Sequence, residues 1–319
     1  MGEGEPPAMP VQIDGDVVYG EGGVLTPGLI DIHSHIGLYE DGLGFEGADG
    51  NEDTDPATPH LRALDGVNPF DRSFREALEA GVTAAAVSPG SANPIGGQIA
   101  LLKTAGRREE LYKAKEYFSR KARAEDDPEQ DEPDFDIKME ALQPLLWGKA
   151  EAHFHAHRAD DIFTALRIAK EFGLRAVIIH GTEAHLVADL LTEEHVPVVS
   201  GPYMTDRSKP EIRNLSDAAP GLLCKAGIET AITVDHPEIP LRLLPMALML
   251  AVRAGMDKTD ALRAVTSVPA KIAGMQDRIG SLKTGLDADC VLWSGDPLDI
   301  ATQVQAVFVN GTPEYRRTK

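Results

Sequence analysis

Histidine and aspartate side chains recur in this chain at spacings that suit a metal ion. The stretch Pro27-Gly28-Leu29-Ile30-Asp31-Ile32-His33-Ser34-His35-Ile36-Gly37 opens on a Pro-Gly turn signal and ends on a His-x-His pair. On a strand, His33 and His35 project from the same face, because strand side chains alternate with period two. Two imidazoles a pleat apart can hold one ion, and imidazole suits zinc, copper, iron or nickel. An isolated His-x-His is more often ordinary surface or core histidine. Here the pair closes an apolar strand and is followed by a glycine and a long acidic loop. Three later runs end in the same residue types. Residues 150–158 carry His153, His155 and His157 with period two, 176–182 carries His180, and 231–237 carries Asp235. A lone His180 would read as a satisfied core histidine, but four strands ending this way argue against accident. Catalytic residues of a barrel come from the C-terminal ends of several strands, so the distribution is the one a barrel metalloenzyme needs.

To position these residues, strands and helices must alternate. Val11-Gln12-Ile13 and Val17-Val18-Tyr19 flank Asp14-Gly15-Asp16 and predict a hairpin after a disordered start at 1–10. Residues 38–71, rich in Gly, Asp and Glu, exceed the ~12–15 residues of an ordinary loop and predict an active-site wall holding His60 and Arg62. Asp71 caps a helix with Phe74, Ala77 and Leu78 at helical spacing, and Gly81 stops it. Val82–Val87 is the next strand. The glycine-rich loop 89–97 lacks both the Walker lysine spacing and G-x-G-x-x-G, so it reads as a structural loop at the barrel mouth. Residues 99–102 follow as a third strand, 107–124 as a charged amphipathic helix, and 125–134 as an exposed acidic linker. Beyond Ile137, strands at 150–156, 176–180, 196–200 and 228–235 alternate with helices at 159–172, 182–191, 240–254 and 260–273. That rhythm means βαβ units and a parallel sheet, and at this length an α/β protein with a (β/α)8 TIM-type barrel over 27–279. The tail, 280–319, has short strands, a break at Pro297 and an Asn310-Gly311 turn, and pairs with 1–26 in a small β-sandwich appendage.

Composition narrows the partners. With 319 residues the chain can bury a large core. Its 51 acidic and 31 basic residues give a formal charge of −20, which argues against nucleic acid, whose phosphates need a basic surface. The two cysteines, Cys224 and Cys290, lie in unrelated segments and read as reduced core residues of a cytosolic protein. The N-terminus shows no basic n-region or apolar h-region. No apolar run reaches the ~18 residues of a membrane span; 241–252 is broken by Arg242 and Pro245 and reads as a core helix. The expectation is a cytoplasmic enzyme with a small-molecule substrate, no nucleic-acid or membrane partner, and a composition compatible with a homo-oligomer.

Together these runs resemble the amidohydrolase superfamily. Pro-Gly-x-Ile-Asp-x-His-x-His is similar to its first barrel strand, and the His-Ala-His, Ile-His-Gly and Val-Asp-His-Pro runs to its fifth, sixth and eighth. Asp289 with Trp293-Ser294-Gly295-Asp296-Pro297 matches its C-terminal tail, and the resemblance is nearest to the imidazolonepropionase-like branch, from Val17 to about Glu314. The resemblance implies that His33, His35 and His155 bind metal and that Asp235 is a ligand and proton shuttle. It implies that His180 is a second-metal ligand or a substrate-carbonyl polariser. His153 and His157 match no ligand and are assigned to packing or loop contacts. The implied cofactor is one divalent ion, zinc first, which lowers the pKa of bound water to about 7. The implied reaction is hydrolysis of a C–N bond in an amide, lactam or dipeptide, with Asp235 as base and then acid. The chain departs from the pattern in its short N-terminal β segment and in passing almost directly from Lys103 into a helix, which leaves the fourth strand unidentified.

Cations after the seventh and fifth strands, Arg207, Lys209 and Arg158, are candidate contacts for a substrate carboxylate, with His60 a further candidate substrate contact; the bland alternative is that Arg207 and Lys209 simply pair with acidic neighbours. A second metal would need a bridging anion, and Lys103 is the only lysine placed to supply a carbamate. A lysine ending a strand is more often exposed at the rim, so a single metal is favoured. Two rival functions remain. A deaminase of this fold usually has a glutamate in a His-x-x-Glu arrangement after the fifth strand, where Arg158, Ala159 and Asp160 stand here. A non-catalytic scaffold of the same fold would generally lose ligands, whereas all five are present.

Overall fold

The structure is a computed structural model that describes residues 22–105 and 136–318. The expected start at 1–10, hairpin at 11–19, helix at 107–124 and linker at 125–134 lie outside the described residues. The chain opens on strand β1 (Val24–Pro27) and turns at Gly28 into β2 (Leu29–Ser34), which is buried at every position. Only glycine fits at that turn, because a Cβ at Gly28 would lie 2.0 Å from Thr83 Oγ1. The acidic wall holds a 3-10 turn (Gly44–Gly47) and a short helix, α1 (Ala63–Gly66), before α2 (Arg72–Glu79). As expected, Asp71 caps α2, its carboxylate accepting the Ser73 N–H at 3.0 Å.

Strand β3 (Val82–Val87) pairs parallel to β2, but β4 (Ala100–Lys103) pairs antiparallel to β3. Parallel neighbours need a crossover, usually a helix, and 88–99 contains none. After α3 (Ile137–Leu146) the chain is regular: β5 (Ala152–Ala156), α4 (Ala159–Phe172), β6 (Ala176–His180), α5 (Ala188–Glu194), β7 (Val198–Ser200), α6 (Ala219–Lys225) and β8 (Thr230–Ile232). Strands β5-β6-β7-β8 form one parallel sheet, and β2-β3-β4 form a second, mixed sheet. The helices α7 (Leu244–Arg253), α8 (Lys258–Arg263) and α9 (Ser267–Ile272) close this part of the chain. The helix expected over 260–273 is thus broken at 264–266.

The last strands, β9 (Cys290–Trp293), β10 (Val304–Val309) and β11 (Thr312–Arg316), join β1 in an antiparallel sheet of order β1-β9-β10-β11. Asn310 and Gly311, at φ +51° and +77°, make the expected tight turn between β10 and β11.

The fold is α/β, with strand–helix alternation from β5 onward. The expected single ring of parallel strands is not what the pairing shows among the described residues: β2–β8 divide into two sheets and one strand runs backward. The two sheets share an interior, where Ile32 and Ala86 pack with Val177, Ile179, Val199 and Ala231. They also meet where the chain beyond β8 passes β2. There Thr233 Oγ1 donates to the His33 carbonyl at 2.7 Å, and His35 N–H donates to the His236 carbonyl at 2.8 Å. That junction brings the residues after β8 to the C-terminal end of β2.

Candidate metal centre

His33 and His35 end β2 with 6% and 8% of their surface exposed, and Asp235 follows β8. Asp235 Oδ1 lies 3.3 Å from His33 Nε2 and 3.4 Å from His35 Nε2. Asp235 has φ +54°, a left-handed conformation costly for a non-glycine residue and often found where side chains are held for function. Burial pushes the Asp235 carboxyl up, but the close imidazoles of His33 and His35, and after them His180, outweigh it, holding the group well below the usual carboxylate range. His35 Nδ1 donates to the Ser88 carbonyl at 2.7 Å, since a carbonyl can only accept. Its other nitrogen, Nε2, is turned toward Asp235.

A buried carboxyl that received no role from the sequence braces this arrangement. Asp31, fully buried, accepts the His33 N–H at 3.0 Å and the Val234 N–H at 3.1 Å. Burial pushes its pKa up to about 7, against those two backbone hydrogen bonds. Its place in the Pro-Gly-x-Ile-Asp run was the available signal.

A second group forms at the ends of β5 and β6. His155 Nε2 and His157 Nε2 are 3.0 Å apart, and His157 Nδ1 is 2.8 Å from Thr182 Oγ1. His180, at φ +70°, has Nδ1 2.8 Å from the Gly201 carbonyl, while its Nε2 is buried with no hydrogen-bond partner. The His180 ring is stacked on His157, with centroids 4.7 Å apart, and lies 4.3 Å from His155 and 5.2 Å from His33. Burial lowers His180 well below the ordinary histidine value and, with the neighbouring histidines, takes His155 to about 4. Burial and His33 take His153, whose Nδ1 has no partner, to about 4 as well. These rings are held neutral, the form that binds metal.

The structure thus divides the expected ligand set. His33, His35 and Asp235 offer donor atoms within 4.8 Å of one another, whereas His155 stands with His157 and His180 in a separate group of the same compactness. His157, expected only to pack, is brought into that group. Its period-two spacing from His155 was the signal.

The other expected contacts fare differently. Arg158 is held by Asp160 through two hydrogen bonds of 2.9 Å, and Arg207 donates to the Leu215 carbonyl at 2.9 Å. Both cations are engaged locally, Arg158 by an acidic neighbour and Arg207 by a backbone carbonyl. Lys209 forms no ion pair among the described residues and bears electrostatically on His155 and His157. His60 belongs to neither donor group. Lys103 is corrected as a bridging residue. Because β4 runs antiparallel, Lys103 pairs with Ala84 near the start of β3, away from the metal-bearing strand ends, and is bound by Asp287 and Asp289.

The donor chemistry fits a divalent metal. Neutral imidazoles and an ionised carboxylate are its ligands, and His33 Nδ1, His180 Nε2 and Asp235 Oδ1 are buried without hydrogen-bond partners. Such orphaned groups cost about 1–3 kcal/mol each, a cost that coordination at His180 Nε2 and Asp235 Oδ1 would offset.

The description "Amidohydrolase family" matches residues 145–315. An amidohydrolase from Thermotoga maritima of known crystal structure is 38% identical over 98% of this chain and 92% of its own, with a TM-score of 0.87. The chain belongs to the amidohydrolase family. The curated amidohydrolase tasK of Hapsidospora irregularis is 27% identical over 97% of this chain, which spans 38% of that relative's length. A 5-methylcytosine deaminase from Klebsiella pneumoniae shares the fold at 13% identity, with a TM-score of 0.57, over 98% of this chain and 92% of its own. Amidohydrolases generally use a divalent metal, and both donor groups fit one. No helix among the described residues is long and apolar enough to cross a membrane.

Proposed function

We propose that this amidohydrolase hydrolyses a C–N bond of a small molecule, an amide, lactam or dipeptide, with zinc as cofactor. The observation that carries the reading is the meeting of His33, His35 and Asp235 at the ends of β2 and β8. His33, His35 and Asp235 would hold the ion. When bound, the ion supplies Lewis acidity and acidifies a water. Asp235, kept ionised, takes the proton of the attacking water on its carboxylate and returns it to the departing nitrogen, a base-then-acid role. His180 is better suited to donate a lone pair than a proton. The Gly201 carbonyl takes its Nδ1–H and burial keeps the ring neutral, leaving Nε2 an acceptor. Beside the site a cleft of about 270 Å³ lined by Tyr39, Asp41, Ser73, His236, Pro237 and Arg242 gives a small substrate room.

The two facing sheets read as an interrupted TIM-type barrel over 27–279, with the terminal sheet as its appendage, and the protein as a cytoplasmic member of the imidazolonepropionase-like branch. A substrate carboxylate would meet Lys209, which lies near His155 and His157 and forms no ion pair among the described residues. The test is to screen the zinc-loaded protein against dipeptides, N-acyl amino acids and lactams. Release of a carboxylate with an amine supports the reading; ammonia released from an aminated ring would replace it with deamination.

A further inference from the structure

We infer that Tyr39 is a positioning residue of the metal centre: its ring fixes the imidazole of His35 and ties the filling of that centre to the cleft wall. This rests on His35 serving as a metal ligand, as proposed above, and gives the acidic wall and the glycine-rich loop a shared task.

Tyr39 follows His35 closely, where β2 gives way to the wall. The chain turns back there, the Leu38 N–H donating to the His35 carbonyl at 3.0 Å. The Tyr39 ring then stands against His35, with centroids 5.8 Å apart and planes crossing at 81°. An edge-to-face pair at that separation is a favoured aromatic geometry. His33 meets the same imidazole edge-on at 5.2 Å. The Ser88 carbonyl takes its Nδ1–H at 2.7 Å, and Nε2 is turned toward Asp235. Contacts of this kind set the ring angle of a metal-binding histidine.

Tyr39 is itself held from outside. A Cβ on Gly50 would overlap its ring and hydroxyl, and one on Gly90 would lie 2.7 Å from the hydroxyl, so the phenol fills a slot that both glycines leave open. The two glycines are joined, the Gly90 N–H donating to the Gly50 carbonyl at 2.7 Å. Within the wall, Tyr39 bridges Ala48, and the Asp49 N–H donates to the Leu38 carbonyl at 2.9 Å. The contacts close a circuit. It runs from His35 through Ser88 to Gly90, across to Gly50, and back along the wall to Tyr39 and His35. Tyr39 also lines the cleft of about 270 Å³. An ion that fixes His35 therefore fixes a residue of the cleft, and by linkage a displaced wall weakens the hold on the ion.

The experiment titrates the metal-stripped full chain with zinc against a chromophoric chelator and follows amide hydrogen exchange before and after loading. In the parent chain, zinc should slow exchange at the Gly90 amide several-fold more than at the β9 amides, which report general stabilisation. Tyr39→Leu should bind zinc about tenfold more weakly, the lower end of what outer contacts on liganding histidines contribute, and lose the extra protection at Gly90. Tyr39→Phe, which keeps the ring, should match the parent in both. A role in packing alone would lower the stability of metal-free Tyr39→Leu and leave its zinc affinity unchanged, which would overturn the inference. Equal slowing at Gly90 and β9 in the parent, or a Tyr39→Phe protein as impaired as Tyr39→Leu, would overturn it too. Each of these results leaves the proposed hydrolase standing, whereas a parent chain that binds no zinc removes both. The parent's exchange and Tyr39→Phe keep the test decisive even if Tyr39→Leu does not fold.

Discussion

Asp31 and Val234, 203 positions apart, are joined by one buried hydrogen bond, the Val234 N–H donating to Asp31 Oδ2 at 3.1 Å. Through Oδ1 the same carboxyl accepts the His33 N–H. One side chain therefore registers the strand carrying two candidate ligands against the segment carrying the third. Asp31→Ala strands two buried donors, each costing about 1–3 kcal/mol. The variant should unfold at lower denaturant and bind zinc more weakly. Unchanged stability and affinity together would show that the register is set elsewhere.

Asp235→Asn keeps the side-chain shape but removes the charge shared by His33 and His35. Turnover of an identified substrate should fall by ~10²–10⁴, the usual contribution of a general acid–base group, and further where metal is also lost. Measuring bound zinc alongside turnover separates the two contributions. A variant that keeps its metal and its rate would refute the proton-transfer role.

Metal removal should lower stability, because an ion that binds only the folded chain stabilises it by mass action. At a free concentration a hundred times the dissociation constant that amounts to about 2.7 kcal/mol. Chelation should shift the melting temperature down and added zinc should restore it. The response should be much reduced in His33→Ala, which removes a member of the His33, His35 and Asp235 group. A melting curve indifferent to both chelator and zinc would argue against a resident ion.

What the sequence disclosed depended on how local the signal was. Strand β6 and helix α4 fall where expected, because apolar runs and helical spacing are written within each segment. His33, His35, His180 and Asp235 were legible for the same reason: each ends an apolar run. The direction of β4 was not, since a strand's sequence reads alike either way and direction is set by the connection before it. His157 was passed over because a histidine just past a strand end has no fixed direction until a neighbouring ring, here His180, stacks on it. Arg158 looked available because its partner Asp160, two residues on, engages it only once the start of α4 has formed.

Lys103 offers the last prediction, since its partners are structural. Its Nζ lies 2.8 Å from Asp287 Oδ2 and 2.7 Å from Asp289 Oδ2, and the Asp289 side chain is 3% exposed. Lys103→Ala leaves that buried carboxylate short of its cation, so stability should fall by about 1–3 kcal/mol while bound metal is unchanged. Acid should act on the same cluster. Asp287 is held below the usual carboxylate range first by the hydrogen bond it accepts from Arg278, which outweighs the opposing effect of burial, with Lys103 adding to it. A carboxyl with a depressed folded pKa contributes stability that is full above its unfolded value, about 4, and is lost as pH falls through the folded value. Asp287→Asn should therefore flatten the acid limb of the stability curve below about pH 4 and leave the limb near neutrality in place. An acid limb as steep as that of the parent chain would place the responsible carboxylate elsewhere.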